Sequence, residues 1–308
     1  MRPTPTKRRV RAAVVTIAGL AVLAGAGVVA VQALKGPVVV TERCTSTANG
    51  ESHELDPEQA SNAALIAAVA VKRGLPARAA TIGIATAIQE SKLRNIDYGD
   101  RDSVGLFQQR PSQGWGTVEQ IMDPIYATNA FYDVLVKVKG YESMEITDAS
   151  HRVQRSAFPE AVARREPQGR SFASALTGWS AASLDCRLRP VKDAQPQQAG
   201  QDGLLPRAAE VRAALDREMG EMGWEHSGPE RLLLAAGEDA AGQRRAWAVA
   251  QWAVASAAKY DIVSVECDGR TWRRDKPGEG WVKLPADPNR GMAYSEQPGR
   301  VAIEVANP

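Results

Sequence analysis

The chain has 308 residues, of which 44% are hydrophobic and 24% are charged, and its 38 Lys and Arg against 36 Asp and Glu leave a net charge of +2. This length exceeds one ordinary core and predicts two domains with attachments, while the near-neutral charge excludes the basic surface of nucleic-acid-binding proteins. The three histidines and three cysteines form no closely spaced pairs, so we expect no metal centre, and no other cofactor signature is present.

The amino terminus predicts the compartment. Residues 1–11 are basic, and the following stretch from Ala12 to Leu34 carries no charge. As a helix this stretch is long enough to cross a hydrocarbon layer of ~30 Å. Because basic residues stay in the cytoplasm, we expect a single-pass signal anchor over 12–34 with everything after Lys35 outside the cell. The alternative is a cleaved signal peptide, since Val31-Gln32-Ala33 offers small residues to a peptidase, but the length of the apolar run favours the anchor.

Residues 35–54 are polar and rich in turn-forming types, which predicts a stalk. Outside the cell, thiols oxidise and disulfides persist. Cys44 and Cys186 bracket the domain predicted over 55–186, and a bridge between them would close a long loop, worth roughly 4 to 5 kcal/mol in the chain-entropy model. Cys267 is then left over, and the β-branched run before it favours a buried free thiol.

The domain over 55–186 is predicted to be mainly α. Asp56-Pro57-Glu58-Gln59 has the residues of a capping box with proline at the first helical position, so a helix is expected to begin there. A second helix, rich in small residues, follows Pro76 and ends at Glu90-Ser91. Further helices are predicted from Asp123 to Val138, from Asp148 to Ser156 and from Pro159 to Leu176.

The rest of the chain predicts a linker and a smaller α+β domain. Residues 187–203 are rich in Pro, Gln and Gly and nearly free of apolar residues, which is typical of a linker. Over 204–308 the pattern predicts helices followed by strands. The helices are expected over Leu204–Met222 and Ala240–Tyr260, and the strands over Ile262–Cys267, Arg270–Arg273 and Arg300–Val305. Trp247 and Trp252 lie on an alanine-rich helix, which favours core packing over glycan binding.

Two motifs point to a chemistry. The second helix ends in Gln89-Glu90-Ser91, and a loop further on reads Gly105-Leu106-Phe107-Gln108-Gln109-Arg110-Pro111. Together they resemble the goose-type lysozyme and soluble lytic transglycosylase superfamily, in its membrane-anchored actinobacterial type, where a Glu-Ser pair closes a buried helix before a Gly-Leu-x-Gln-x-x-Pro loop. The resemblance covers about Leu55 to Leu176. It implies a lysozyme-like fold and an enzyme that cleaves the glycan strands of peptidoglycan.

The residue types suit that reaction. Breaking a glycosidic bond requires an acid that still holds its proton near neutral pH. Glu90 fits, because burial and the negative end of a helix dipole both disfavour its anion; the alternative is a glutamate exposed at a helix end. Gly105 permits close backbone approach, and Gln108 and Gln109 supply amides suited to sugar N-acetyl and hydroxyl groups. Ser91 either supports Glu90 or caps the helix.

Other site residues are open to two interpretations. Asp100 or Asp102 could position a water molecule as the second carboxylate, or make turn hydrogen bonds. The resemblance implies that a transglycosylase needs no second carboxylate, because the N-acetyl and hydroxymethyl groups of the substrate complete the reaction and leave an anhydro-muramyl product. Trp115 could stack on a sugar or pack inward. Gln154 stands where the superfamily has an Ala-Tyr-Asn-Ala-Gly-type groove segment, from which this chain departs. Phe107 is expected in the core.

A non-enzymatic hypothesis stands beside the enzymatic one. The lysozyme-like domain could bind peptidoglycan as a scaffold for other cell-envelope proteins, which the altered segment around Gln154 favours and the intact Glu90 and glutamine loop oppose. The segment Trp247 to Trp272 resembles a domain attached to other secreted actinobacterial wall proteins, and we expect the domain over 204–308 to be a non-catalytic spacer or wall-binding module.

Overall fold

The computed structural model describes residues 41–48, 50–154, 160–192, 194–284 and 294–307. The predicted anchor over 12–34 lies outside these residues. Among the residues described, no helix is long and apolar enough to cross a membrane. The chain from Thr41 to Pro308 clusters as one compact unit.

The first residues of this unit form part of a three-stranded antiparallel sheet. Strands β1 (Arg43–Ala48) and β2 (Glu51–Leu55) form a hairpin, and β3 (Leu184–Arg187) pairs with the other edge of β1. Residues 43–48 and 51–54, which the sequence assigns to a stalk, are therefore strands. Their polar character belongs to the exposed face, whereas Cys44 and Ser46 alternate inward and are buried.

The disulfide between Cys44 and Cys186 is present, as the sequence predicts. The two cysteines are direct partners in the antiparallel register of β1 and β3. This register brings their Cα atoms within 3.9 Å of each other. Chain segments separated by 142 positions in the sequence are thus linked covalently inside one small sheet.

The first two helices follow their predicted bounds closely. Helix α1 spans Pro57–Lys72, and both halves of the predicted capping box are formed by Asp56 and Gln59. Helix α2 spans Ala77–Ser91 and is buried over most of its length, because it consists largely of alanine and isoleucine. It ends where Lys92 adopts a left-handed conformation, with φ of 56°.

In the described residues of the N-terminal part, five further helices follow. They are α3 (Val118–Met122), α4 (Pro124–Leu135), α5 (Ile146–Gln154), α6 (Glu160–Ala163) and α7 (Glu166–Leu176). Asp123 caps α4, as predicted. The single helix predicted from Pro159 to Leu176 is instead divided into α6 and α7, because Pro167 is tolerated only in the first turn of a new helix.

The C-terminal part is built on a six-stranded antiparallel sheet with strand order β4-β5-β9-β6-β7-β8. Its strands are β4 (Trp224–His226), β5 (Arg231–Ala235), β6 (Ile262–Cys267), β7 (Arg270–Arg273), β8 (Val282–Lys283) and β9 (Arg300–Val305). The three strands predicted from sequence, now β6, β7 and β9, are confirmed at their predicted bounds. The predicted mixed architecture is also confirmed: the N-terminal part is mainly helical, and the C-terminal part contains both a sheet and helices.

Where the structure describes the C-terminal part, three α-helices accompany this sheet: α8 (Pro206–Met219), α9 (Ala240–Ala255) and α10 (Ala257–Tyr260). Trp247 and Trp252 of α9 are buried in the core, as predicted. Cys267 is a buried free thiol, also as predicted, and burial raises its pKa.

The predicted linker over 187–203 forms no helix or strand in its described residues after Arg187. It is nevertheless held to the unit, because Leu188 is buried and Arg189 forms an ion pair with Glu42. The helical part and the sheet part also contact each other directly, since α1 packs against both α8 and α9.

A buried glutamine in α9 adds hydrogen bonds between the helical part and the sheet part of the unit. Gln251 of α9 is fully buried, and its amide group makes four hydrogen bonds to the backbone between α7 and β3. Its Nε2 donates to the carbonyls of Ala175 (2.7 Å) and Ser180 (3.0 Å), and its Oε1 accepts from the N–H groups of Ser183 and Leu184 (3.0 Å each). The polar capacity of this buried side chain is therefore fully used.

Candidate active site

Glu90 lies in the last turn of α2 and is half-buried. Burial, which disfavours the charged form, is the one cause that raises its pKa above the ordinary value of a glutamate. No hydrogen bond to its carboxylate is formed by the described residues, so no donor in that part of the chain stabilises the anion. The side chain therefore keeps its proton to a higher pH than an exposed glutamate does.

Ser91 joins the end of α2 to the glycine loop. Its buried hydroxyl donates to the carbonyl of Leu106 at 2.6 Å and lies 3.1 Å from the carbonyl of Ala87. The same oxygen accepts a hydrogen bond from the N–H of Arg94 at 3.2 Å. These contacts are with backbone, so Ser91 closes the helix and fixes the loop that follows.

The loop itself requires glycine at position 105. Gly105 has φ of +79°, in the region that favours glycine, and a methyl group there would lie 2.8 Å from the carbonyl oxygen of Ile121. Its N–H donates to the carbonyl of Ile96 at 2.7 Å, and Val104 pairs with Gln109 to close the loop. The loop is therefore a compact, hydrogen-bonded turn.

A second attachment holds the loop to α5. The side-chain amide of Gln154, at the end of α5, donates to the carbonyl of Phe107 at 2.7 Å. The ring of Phe107 is fully buried and stacks on Phe131 with 4.6 Å between ring centroids, which confirms its predicted place in the core. Gln154, predicted to bind substrate, thus contacts the loop backbone.

The two neighbouring glutamines of the loop point in different directions. Gln108 is half-buried, and its Nε2 donates to the carbonyls of Tyr98 and Gly105, both at 3.3 Å. Gln109 is only 1% exposed, and its Nε2 donates to the carbonyl of Ala127 at 3.2 Å. The sequence suggests a sugar contact for both side chains, but the structure places only Gln108 near the surface.

The two aspartates considered as a second carboxylate lie in different surroundings. Asp102 accepts hydrogen bonds from Arg110 Nε (2.7 Å) and from the N–H and hydroxyl of Ser112 (2.8 and 3.0 Å), and these contacts hold its pKa well below the usual range. Asp100 has a side chain that is 91% exposed, 4.0 Å from Arg101. Asp102 therefore stabilises the loop by turn chemistry, and its low pKa makes it a weak base.

Two aromatic residues flank this region. Trp115 is partly buried and packs against the core. The glycine after it, Gly116, lies so close to Tyr126 that a methyl group would meet the hydroxyl at 2.6 Å. Tyr98, in contrast, is 70% exposed beside Gln108. Sequence reasoning missed Tyr98, although an aromatic residue between Asp97 and Gly99 in a polar loop is a signal that could have found it.

The structure therefore joins three pieces of the predicted site: the end of α2 with Glu90 and Ser91, the loop from Gly105, and the end of α5 with Gln154. It does not bring Gln109 or Asp102 to this junction as free polar groups. In comparisons with known proteins, no family model and no curated protein matches the chain.

Proposed function

We propose that this protein cleaves the glycan strands of peptidoglycan, as a lytic transglycosylase or muramidase with a lysozyme-like N-terminal fold and Glu90 as its general acid and base. One observation carries the proposal. Glu90 is a half-buried carboxyl group whose pKa is raised by burial alone, next to a loop tied down by Ser91 and Gln154. A carboxyl group that retains its proton near neutral pH is what protonation of a leaving sugar oxygen requires.

In the proposed reaction, Glu90 donates its proton to the glycosidic oxygen as the bond to the anomeric carbon breaks and the ring gains oxocarbenium character. The carboxylate then accepts the proton of the substrate's own hydroxymethyl group while that oxygen bonds to the anomeric carbon. The product is an anhydro-muramyl end. The binding of Asp102 by Arg110 and Ser112 favours this route over hydrolysis, because it removes one candidate for a water-activating base.

The proposed location is the cell membrane, with one span over 12–34 and all later residues outside the cell. The disulfide between Cys44 and Cys186 supports an oxidising compartment for these residues. In this arrangement peptidoglycan is the partner of the protein, and the sheet-containing part serves as a spacer or a wall-binding module.

A non-catalytic peptidoglycan-binding scaffold is the second candidate. It is favoured by the position of Gln109, which is buried and cannot reach a sugar without a change in conformation. It is also favoured by Glu90, whose carboxylate no described residue orients through a hydrogen bond. A scaffold would keep affinity for the wall without cutting it.

Zymography on purified peptidoglycan with the full-length protein in detergent separates the two. We expect clearing by the native protein and by the control Glu142→Gln, which changes an exposed glutamate. Glu90→Gln should lose at least ~100-fold in rate, the contribution typical of a general acid. Mass spectrometry should show products whose mass is lower, by one water molecule, than the mass of the corresponding hydrolysis products. Sedimentation on the wall without clearing by any variant would refute the enzyme and support the scaffold.

A further inference from the structure

Trp179 is an exposed tryptophan in a protein whose other tryptophans are buried or partly buried. All seven tryptophans lie within the described residues, and only Trp179 is exposed, at 63% of its surface. It lies in the turn after α7, next to Gly178, which has φ of +79°. An exposed large aromatic side chain loses the stabilisation of burial, which marks it as a candidate contact for a ligand.

The turn that presents Trp179 is held in place. The N–H of Trp179 donates to the carbonyl of Ser174 at 2.9 Å. Gly178 lies so close to α9 that a methyl group there would overlap the carbonyl oxygen of Arg244. Gln251 binds the carbonyl of Ser180 on the other side of the turn. The ring is therefore a preformed surface, and a ligand would not have to order it.

Two arginines accompany the ring. The guanidinium carbon of Arg244 lies 4.4 Å from the centroid of the Trp179 ring, a cation–π contact that covers part of the indole. Arg245 is exposed beside it. Among the described residues, neither guanidinium forms an ion pair. The carboxylate of Asp239, which lies in the same region, caps α9 and accepts a 2.7 Å hydrogen bond from the N–H of Gly242. The site therefore carries positive charge with free donors.

These side chains line a cleft of about 540 Å³, which we call the Trp179 cleft. Its other wall is the turn from Gly74 to Ala77 between α1 and α2. A cleft of this size accommodates one or two sugar rings. It is formed by parts of the chain other than Glu90 and the loop from Gly105, and no sequence motif discussed above includes it.

We propose that the Trp179 cleft is a second binding site, for an anionic saccharide. The open part of the indole offers an apolar face for a sugar ring, and Arg244 and Arg245 supply the paired N–H groups that bind a carboxylate or a phosphate. In peptidoglycan the free carboxylates belong to stem peptides and to muramyl groups that carry no peptide; in attached wall polymers the anion is phosphate. The choice of a wall glycan as ligand rests on the proposed function, whereas the cleft and its charge do not.

The test is sedimentation of the full-length protein in detergent with insoluble peptidoglycan that has been stripped of phosphate-containing polymers. All variants carry Glu90→Gln, so binding is measured without cutting, and the result is independent of whether the native protein clears a zymogram. Trp179→Ala and the double variant Arg244→Gln/Arg245→Gln should each raise Kd about tenfold, which corresponds to about 1.4 kcal/mol. Lys137→Gln/Lys139→Gln removes the same charge at exposed positions and should leave Kd unchanged.

Further binding measurements identify the chemical class of the ligand. A tenfold loss that appears only with unstripped wall would support the cleft and assign phosphate as the anion. Unchanged Kd for both cleft variants on both wall preparations would overturn the proposal. An equal loss on chitin, which is uncharged, would overturn the anionic part of the proposal. Thermal unfolding of each variant, expected to match the parent because Trp179 is exposed, excludes misfolding as the cause.

Discussion

The hydroxyl of Ser91 donates a hydrogen bond of 2.6 Å to the carbonyl of Leu106. Through this bond the residue next to Glu90 in the last turn of α2 is tied to the second residue of the glycine loop. The carboxyl group and the loop therefore cannot shift independently without losing a buried hydrogen bond. If this region is the active site, positioning of Glu90 depends on a serine whose own hydrogen bonds, among the described residues, are to backbone groups and not to the carboxylate.

Ser91→Ala should cost about 1 to 3 kcal/mol in the free energy of unfolding, because the carbonyl of Leu106 is left without its partner in a buried place. Clearing of peptidoglycan should fall with it. The control is Thr81→Ala in the same helix, whose hydroxyl bonds only within its own helix, to the carbonyl of Ala77, and should cost less than about 1 kcal/mol. Equal costs in urea unfolding would contradict a special role for the Ser91 contact.

Gly105→Ala should be far more costly than Gly140→Ala. Both glycines have similar backbone conformations, with φ of +79° and +76°, but a methyl group at 105 meets the carbonyl of Ile121 whereas at 140 it meets nothing within 4 Å. We expect about 1 kcal/mol for Gly140→Ala from backbone strain and about 2 to 4 kcal/mol for Gly105→Ala, where steric overlap is added. Thermal and urea unfolding measure the difference, and similar values would show that the loop yields easily.

Glu90→Gln should raise the melting temperature at neutral pH. The pKa of Glu90 is raised in the folded protein, so the folded state binds the proton more tightly than the unfolded state. The free energy of unfolding of the native protein therefore falls as pH rises from the ordinary glutamate pKa through the pKa of Glu90 in the folded state. Above that range the native protein carries the full cost of the buried anion. The gain of Glu90→Gln should shrink towards pH 4. A gain independent of pH would show that titration of Glu90 is not its source.

Removal of the disulfide should lower stability by about 5 kcal/mol, the chain-entropy estimate for so long a closed loop. Melting of the native protein with and without reductant measures this effect, and Cys44→Ser/Cys186→Ser should melt at the lower temperature in both conditions. Cys267→Ala is the control, because that thiol is free and its removal should leave the response to reductant intact. A reductant effect that persists in the double variant would contradict the assignment.

Gln251→Leu should destabilise the protein by about 3 kcal/mol or more, since two backbone N–H groups and two carbonyls lose their partner in the interior. Gln243→Leu in the same helix is the matched control. That side chain is exposed, and its one bond is to the carbonyl of Glu238, so the change should be below about 0.5 kcal/mol. Urea midpoints that do not differ would show that water replaces the lost bonds.

Local signals predicted much of the fold. Asp56 and Gln59 identify the start of α1 because a capping box involves only neighbouring residues. The hairpin of Arg43–Leu55 was missed, because its polar strands are stabilised by pairing with β3 and by the bond to Cys186. These partners are far away in the sequence, and no local pattern reveals them.

In the candidate site, too, some features could be predicted from local sequence and others depend on distant residues. The residue types around Glu90 were identified from sequence, but the directions of their side chains were not. Gln108 has φ of 49°, and such a left-handed residue breaks the regular alternation of side chains. As a result, Gln109 faces Ala127 in the core, while Gln108 stays near Tyr98. Packing against α4 decides which glutamine is accessible, and the loop sequence alone does not encode that.

The bond between Cys44 and Cys186 also has a mechanical consequence. If the chain is stretched between Thr41 and its carboxyl terminus, the force passes from β1 directly into β3 through the two sulfur atoms. All residues from Thr45 to Asp185 then lie in a closed ring outside the line of tension. A protein pulled between a membrane and a rigid wall would in this way keep Glu90 and its loop unloaded while the segments outside the ring extend.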